Sequence, residues 1–128
     1  VVLFALDVTQ CDGWSVVAVT GELELATAPR LRQQVVSLIG AGRSHLIIDL
    51  SAVDFIDSVG LGVVVGGLKR CRTHDGDLVV VGAVPRVRSL FEITRLDTTF
   101  DIHATREKAL ESVRVGYNGA ADSSEGAP

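Results

Sequence analysis

His45-Leu46-Ile47-Ile48-Asp49-Leu50 runs into Ser51-Ala52-Val53-Asp54-Phe55-Ile56-Asp57 and then into Ser58-Val59-Gly60-Leu61-Gly62-Val63-Val64-Val65-Gly66-Gly67-Leu68. The opening run is almost continuously apolar, the pattern of a strand covered on both faces. From Ser58 to Arg72 the period changes, and Leu61, Val64, Val65, Leu68 and Cys71 fall on one helical stripe. Lys69, Arg70 and Arg72 close that helix where cations suit its dipole, and they read as a solvated helix end. A both-sides-buried strand, a loop and an amphipathic helix form the first half of a right-handed parallel crossover.

The flanking segments repeat that unit. Upstream, Leu3 to Gln10 and Trp14 to Thr20 read as strands joined by the Asp12-Gly13 turn signal, with Val17 and Val19 on one face and Val16 and Ala18 on the other. Leu31, Val35, Leu38 and Ile39 then form a helical stripe, with Thr27 as the expected N-cap, Pro29 in the first turn and Gly40 and Gly42 as the stop. Downstream, Leu78 to Val81 reads as a buried strand, and Pro85 opens a helix with Val87, Leu90, Phe91 and Thr94 on one side. Phe100 to His103 is a short strand, and Thr105 caps a fourth helix carrying Ala109, Leu110 and Val113. The order β-β-α-β-α-β-α-β-α predicts a single α/β domain over residues 1–115, with a mixed, mostly parallel sheet of about five strands and about four helices. Residues 116–128 have no apolar period and read as a disordered tail.

Composition narrows the function classes. The 128 residues are 47% hydrophobic and 22% charged, which suits one globular core. A net charge of −4 argues against nucleic-acid or anionic-membrane binding. Every apolar run is broken before it could span a bilayer, and no secretory signal is visible, so a cytoplasmic protein is expected. Cys11 and Cys71 lack metal or redox spacing and read as free thiols, while His45, His74 and His103 are scattered singly and give no metal site.

Chemistry is expected beyond the carboxyl end of the parallel strand, where Ser58 stands between Asp57 and two glycines. Read structurally, Ser58 is a helix N-cap. The glycines need more explanation. Gly60, Gly62, Gly66 and Gly67 each cost roughly 0.8–1.0 kcal/mol against alanine in a helix unless close backbone approach requires them. Tight packing on the sheet and a docked partner are the two candidate requirements. Catalytic readings fail one by one. A nucleophile elbow needs glycine where Ile56 stands, a dinucleotide fingerprint should not lie inside a helix, and no phosphate loop is present. A serine hydrolase is therefore a remote third reading, and the chain is expected not to be an enzyme.

These residues carry a resemblance. Val53-Asp54-Phe55-Ile56-Asp57-Ser58-Val59-Gly60-Leu61-Gly62 resembles the phosphorylation-site signature of bacterial anti-sigma-factor antagonists of the STAS domain family. Gly21-Glu22-Leu23-Glu24-Leu25-Ala26-Thr27-Ala28 resembles the family's signature between its second strand and first helix, and Gly66 to Arg70 and Leu90 to Leu96 also fit. The resemblance, running from about Leu3 to about Val115, implies a STAS-like fold and a partner-switching module. The unmodified antagonist would bind an anti-sigma serine kinase with a histidine-kinase-type ATP fold and so free a sigma factor. Phosphorylation of Ser58 would release the kinase, and a PP2C-type phosphatase would reset the switch. The partner-binding surface implied is Glu24, Thr27, Asp57, Ser58, Val59, Gly60, Leu61 and Gly62. Glu24 stands where the family often has Asp, and Val59 where it often has a second hydroxyl, leaving Ser58 as the motif's one hydroxyl. No cofactor is required. A second reading is a nucleotide-sensing STAS module, for which the family allows weak ATP or GTP binding.

Overall fold

The computed structural model describes residues 3–112. Its elements are β1 (Ala5–Cys11), β2 (Trp14–Leu23), α1 (Ala28–Gly40), β3 (His45–Ile56), α2 (Ser58–Thr73), β4 (Asp77–Val81), α3 (Pro85–Ile93), a 3-10 turn (Leu96–Thr98) and β5 (Asp101–His103). A further helix, α4, covers residues 106–112. The expected order is thus observed, with the 3-10 turn added. The segment 116–128 and Val113 lie outside the described residues.

The strands form one sheet in the order β1-β2-β3-β4-β5. The β1–β2 pair is antiparallel and the other three are parallel. Asp12 (φ 52°) and Gly13 (φ 83°) make the hairpin turn, and two successive positive φ values match the right-handed twist of the strands they join. The helices divide unequally between the faces. Val17, Val19, Leu46, Ile48, Leu78 and Val80 meet Leu31, Val35, Leu61, Val64, Leu68, Val87 and Phe91 from α1, α2 and α3. On the opposite face Val16, Ile47, Val79 and Val81 meet Ala109 of α4, with Leu110 at the edge. Helices on both faces explain why β3 and β4 read as unbroken apolar runs.

Three expectations need correction. β3 does not end at Leu50 but continues to Ile56, and β2 continues beyond Thr20 to Leu23. Val53 and Ile56 are buried, and Gly21 and Leu23 pair with them across two register irregularities, one at Ala18/Thr20 and one at Gly21/Glu22. The irregularities break strict alternation, so this stretch looks like loop when read for period alone. Gly21, at φ 104°, is the residue that allows the second; a Cβ there would lie 2.7 Å from the Leu3 carbonyl oxygen. Second, Thr27 makes no capping bond to α1; its hydroxyl serves the preceding loop instead. Third, Asp57 and not Ser58 caps α2. The fourth helix is capped as expected, with Thr105 Oγ1 accepting from the Lys108 amide at 3.1 Å.

Candidate functional site

The extended β2 and β3 end side by side, and this places the two sequence signatures in contact. Asp57 N–H donates to the Leu23 carbonyl at 3.2 Å. The Asp57 carboxylate then works in both directions: Oδ1 accepts from the Gly60 amide at 2.8 Å, capping α2, and Oδ2 accepts from the Leu25 amide at 3.0 Å. One side chain thereby fixes the start of α2 to the β2–α1 loop. A carboxylate held by two amides is satisfied locally and suits the positive end of the helix dipole.

The loop is organised from within as well. Thr27 Oγ1 donates to the Glu22 carbonyl at 2.6 Å and accepts from the Glu24 amide at 2.9 Å. Glu24 Oε1 accepts from the Ala26 amide at 3.0 Å, so its carboxylate folds back onto its own loop. Glu24 and Thr27, both half-buried, thus shape the loop that carries Leu25.

Ser58 is the first residue of α2 and is exposed, and its hydroxyl makes no hydrogen bond among the described residues. The segments that meet at Asp57 expose three apolar side chains to water: Leu25 at 67% exposure, Phe55 at 42% and Val59 at 40%. Leu25 and Phe55 were not singled out from the sequence. Phe55 lies beyond the point where the register irregularities break the strand's alternation, and a lone leucine such as Leu25 in a polar loop carries no periodic signal. Gly60 and Leu61 point inward. Leu61 is core, and a Cβ on Gly60 would lie 2.3 Å from the Leu23 carbonyl oxygen. Gly67 is also packed, 3.1 Å from Leu78 Cδ1, whereas Gly62 and Gly66 face open space. The four glycines thus divide evenly between sheet packing and a free surface.

Two titrating groups lie away from this patch. Burial pushes the Cys71 thiol up to about 12, with the nearby Asp77 charge adding to it, which makes this thiol an inert part of the core. Cys11 and Cys71 are both free, as expected. On the α4 face, burial alone would raise the Asp49 carboxyl. Hydrogen bonds from the Ser51 side chain and backbone and from Arg106, together with the Arg106 charge, outweigh it and hold the group below the ordinary aspartate value. The described residues contain no cluster able to hold a metal ion and no helix long and apolar enough to cross a membrane.

Residues 5–109 match the STAS domain. The anti-sigma-B factor antagonist of Staphylococcus aureus is 32% identical over 102 residues, covering 80% of this chain and 94% of that protein. The crystal structure of an anti-sigma factor antagonist from Mycobacterium paratuberculosis superposes with a TM-score of 0.80 at 37% identity, covering 88% of this chain and 95% of that one. The anti-sigma factor antagonist SpoIIAA in its unphosphorylated form gives a TM-score of 0.74 at 25% identity, covering 86% and 96%. The matched region spans the sheet, the β2–α1 loop and the whole of α2. The chain belongs to the STAS domain family of anti-sigma factor antagonists.

Proposed function

We propose that this protein is a partner switch: unmodified, it docks an anti-sigma serine kinase through the surface around Ser58, frees a sigma factor, and lets go when Ser58 is phosphorylated. The observation that carries the reading is an exposed hydroxyl at the first turn of α2 that makes no hydrogen bond among the described residues, on segments that also expose the apolar side chains Leu25, Phe55 and Val59. A neutral hydroxyl there allows a partner to cover it with little desolvation. A phosphate brings about −1.5 to −2 charge, which would have to be stripped of water on docking. Within the domain the same charge is tolerated, because the amides of Ser58 and Val59 at the helix start are not engaged elsewhere. Modification thus changes the docked state and leaves the fold intact. That the SpoIIAA neighbour is described in an unphosphorylated form supports the phosphorylation step.

The kinase would carry a histidine-kinase-type ATP fold, a PP2C-type phosphatase would restore the serine, and the exchange would take place in the cytoplasm. Catalysis by the chain itself has no role in this reading. Titration of the purified cognate kinase, loaded with ADP, against two variants tests it. Ser58→Ala should bind as tightly as the parent and accept no phosphate. Its stability should change by less than about 0.5 kcal/mol, since an exposed side chain without hydrogen bonds is removed. Ser58→Asp should fold normally and bind roughly thirty- to several-thousand-fold more weakly, the range for burying an unpaired charge at an interface. Equal, tight binding by both variants would refute the switch.

A further inference from the structure

The outer surface of α2 leaves two of its glycines unexplained. Gly62 and Gly66 lie one helical turn apart, and a Cβ on either would meet nothing within 4 Å. Neither the sheet nor α1 requires them. They line a groove of about 240 Å³ between α1 and α2, with Val35 and Val63 as apolar lining and Val59 at the end nearest Ser58. Among the described residues, Arg32 from α1 and Arg70 from α2 supply its only charges. Both are exposed, and neither makes an ion pair among the described residues. A molecule of net charge −4 thus carries a groove whose ionisable lining is wholly cationic.

We propose that this groove receives a helix of the anti-sigma kinase, carrying small or apolar residues on its inward face and Asp or Glu along its flanks. The inference rests on the partner-switch reading and extends its surface away from the phosphorylation site. Three features determine the occupant. Missing side chains at i and i+4 create a continuous channel along α2, the spacing at which the ridge of another helix seats between side-chain rows. Bare glycine backbone lets that helix approach more closely than any other residue would. The free arginines pair best with carboxylates, since guanidinium binds them in a bidentate manner. Val59 lines this groove, is exposed and directly follows Ser58, so a single partner would cover the two without a gap.

Gly66→Leu, Arg70→Glu and the double variant Arg32→Glu/Arg70→Glu test the proposal, titrated against the kinase that phosphorylates Ser58. Gly66→Leu fills open space, so its thermal transition should match or exceed that of the parent, and its affinity should fall at least tenfold. Arg70→Glu should lose affinity and also flatten the dependence of binding on salt; the double variant should do so more strongly. Binding within twofold of the parent by all three, with Ser58→Asp still defective, would overturn the groove and leave the switch standing. Weak binding by the groove variants alongside tight binding by Ser58→Asp would keep the groove and remove the switch. A concentration-dependent dimer of the chain alone, abolished by Gly66→Leu, would assign the groove to a second copy and overturn the proposal.

Discussion

Asp57 joins two segments that are 32 residues apart, and the geometry makes the strength of that join measurable. Replacement by alanine removes the cap on Gly60 and leaves the Leu25 amide without its acceptor. Loss of an N-cap costs about 0.5–2 kcal/mol, and the denaturant midpoint of Asp57→Ala should fall accordingly. A purely capping role predicts nothing more. The clasp predicts in addition that amide exchange at Leu25 accelerates, while Ser58→Ala leaves it unchanged; an unaltered Leu25 amide in Asp57→Ala would show that the loop holds itself. Much of this was legible from residue types. Asp-Ser before a glycine-rich helix marks a helix start in any context, and the resemblance assigned Ser58 its role. What could not be read was which of two neighbouring caps the backbone selects. Asp57 and Ser58 are both good N-cap residues. The choice is made by the Asp57 N–H bond to Leu23, a partner contributed by another strand.

Along α2, identical residues serve opposite ends, and substitution separates them. Gly60 lies against the Leu23 carbonyl, where an added methyl at 2.3 Å would force backbone apart. Gly60→Ala should therefore destabilise by about 1–3 kcal/mol, as overpacked sites do, although alanine is the better helix former. Gly62→Ala meets nothing and should gain up to about 0.8–1.0 kcal/mol from helix propensity alone. Chemical denaturation of the two single variants gives the comparison directly. Destabilisation by Gly62→Ala, or tolerance of Gly60→Ala, would contradict the division. The sequence marked all four glycines as costly, and it left packing and docking open as reasons. The answer depends on which side of the helix meets the sheet, and a helix that is apolar around much of its girth does not announce that. Val59 and Val63 blur the stripe of Leu61, Val64, Val65, Leu68 and Cys71. In α1 and α3 the stripes are cleaner: Leu31, Val35, Leu38, Val87 and Phe91 are buried as expected, Ile39 and Leu90 are half-buried, and Thr94 is exposed.

At the scale of the whole molecule, the alternation of elements was enough to give the architecture, because right-handed crossovers leave few ways to arrange parallel strands. The division of helices between the faces was not legible, since it is set by where the chain turns after β5. Among the described residues, the fourth helix is held on its face by Ala109, which packs on Val16, Ile47, Val79 and Val81 with Leu110 beside it, and by Arg106, whose Nε donates to Asp49 Oδ2 at 2.6 Å. Asp49 is buried in the sheet, while Arg106 remains partly in water. The pair therefore makes the attachment of α4 depend on pH, in a direction that follows from the titration. The folded-state carboxyl lies below its ordinary value of 3.8, so the contribution is fully present above that value and is lost as pH falls through the lower folded-state one. Asp49→Asn removes the titrating group. It should be less stable than the parent near neutral pH, by about 1–3 kcal/mol for a buried hydrogen bond to charge that is weakened, towards the lower end because Arg106 is partly solvated. As pH falls below that ordinary value the parent should lose stability faster than Asp49→Asn, and the two urea midpoints should converge in strong acid. Midpoints that stay a constant distance apart from pH 7 downwards would mean that the ion pair does not fasten α4, and that Ala109 and its apolar contacts hold it alone.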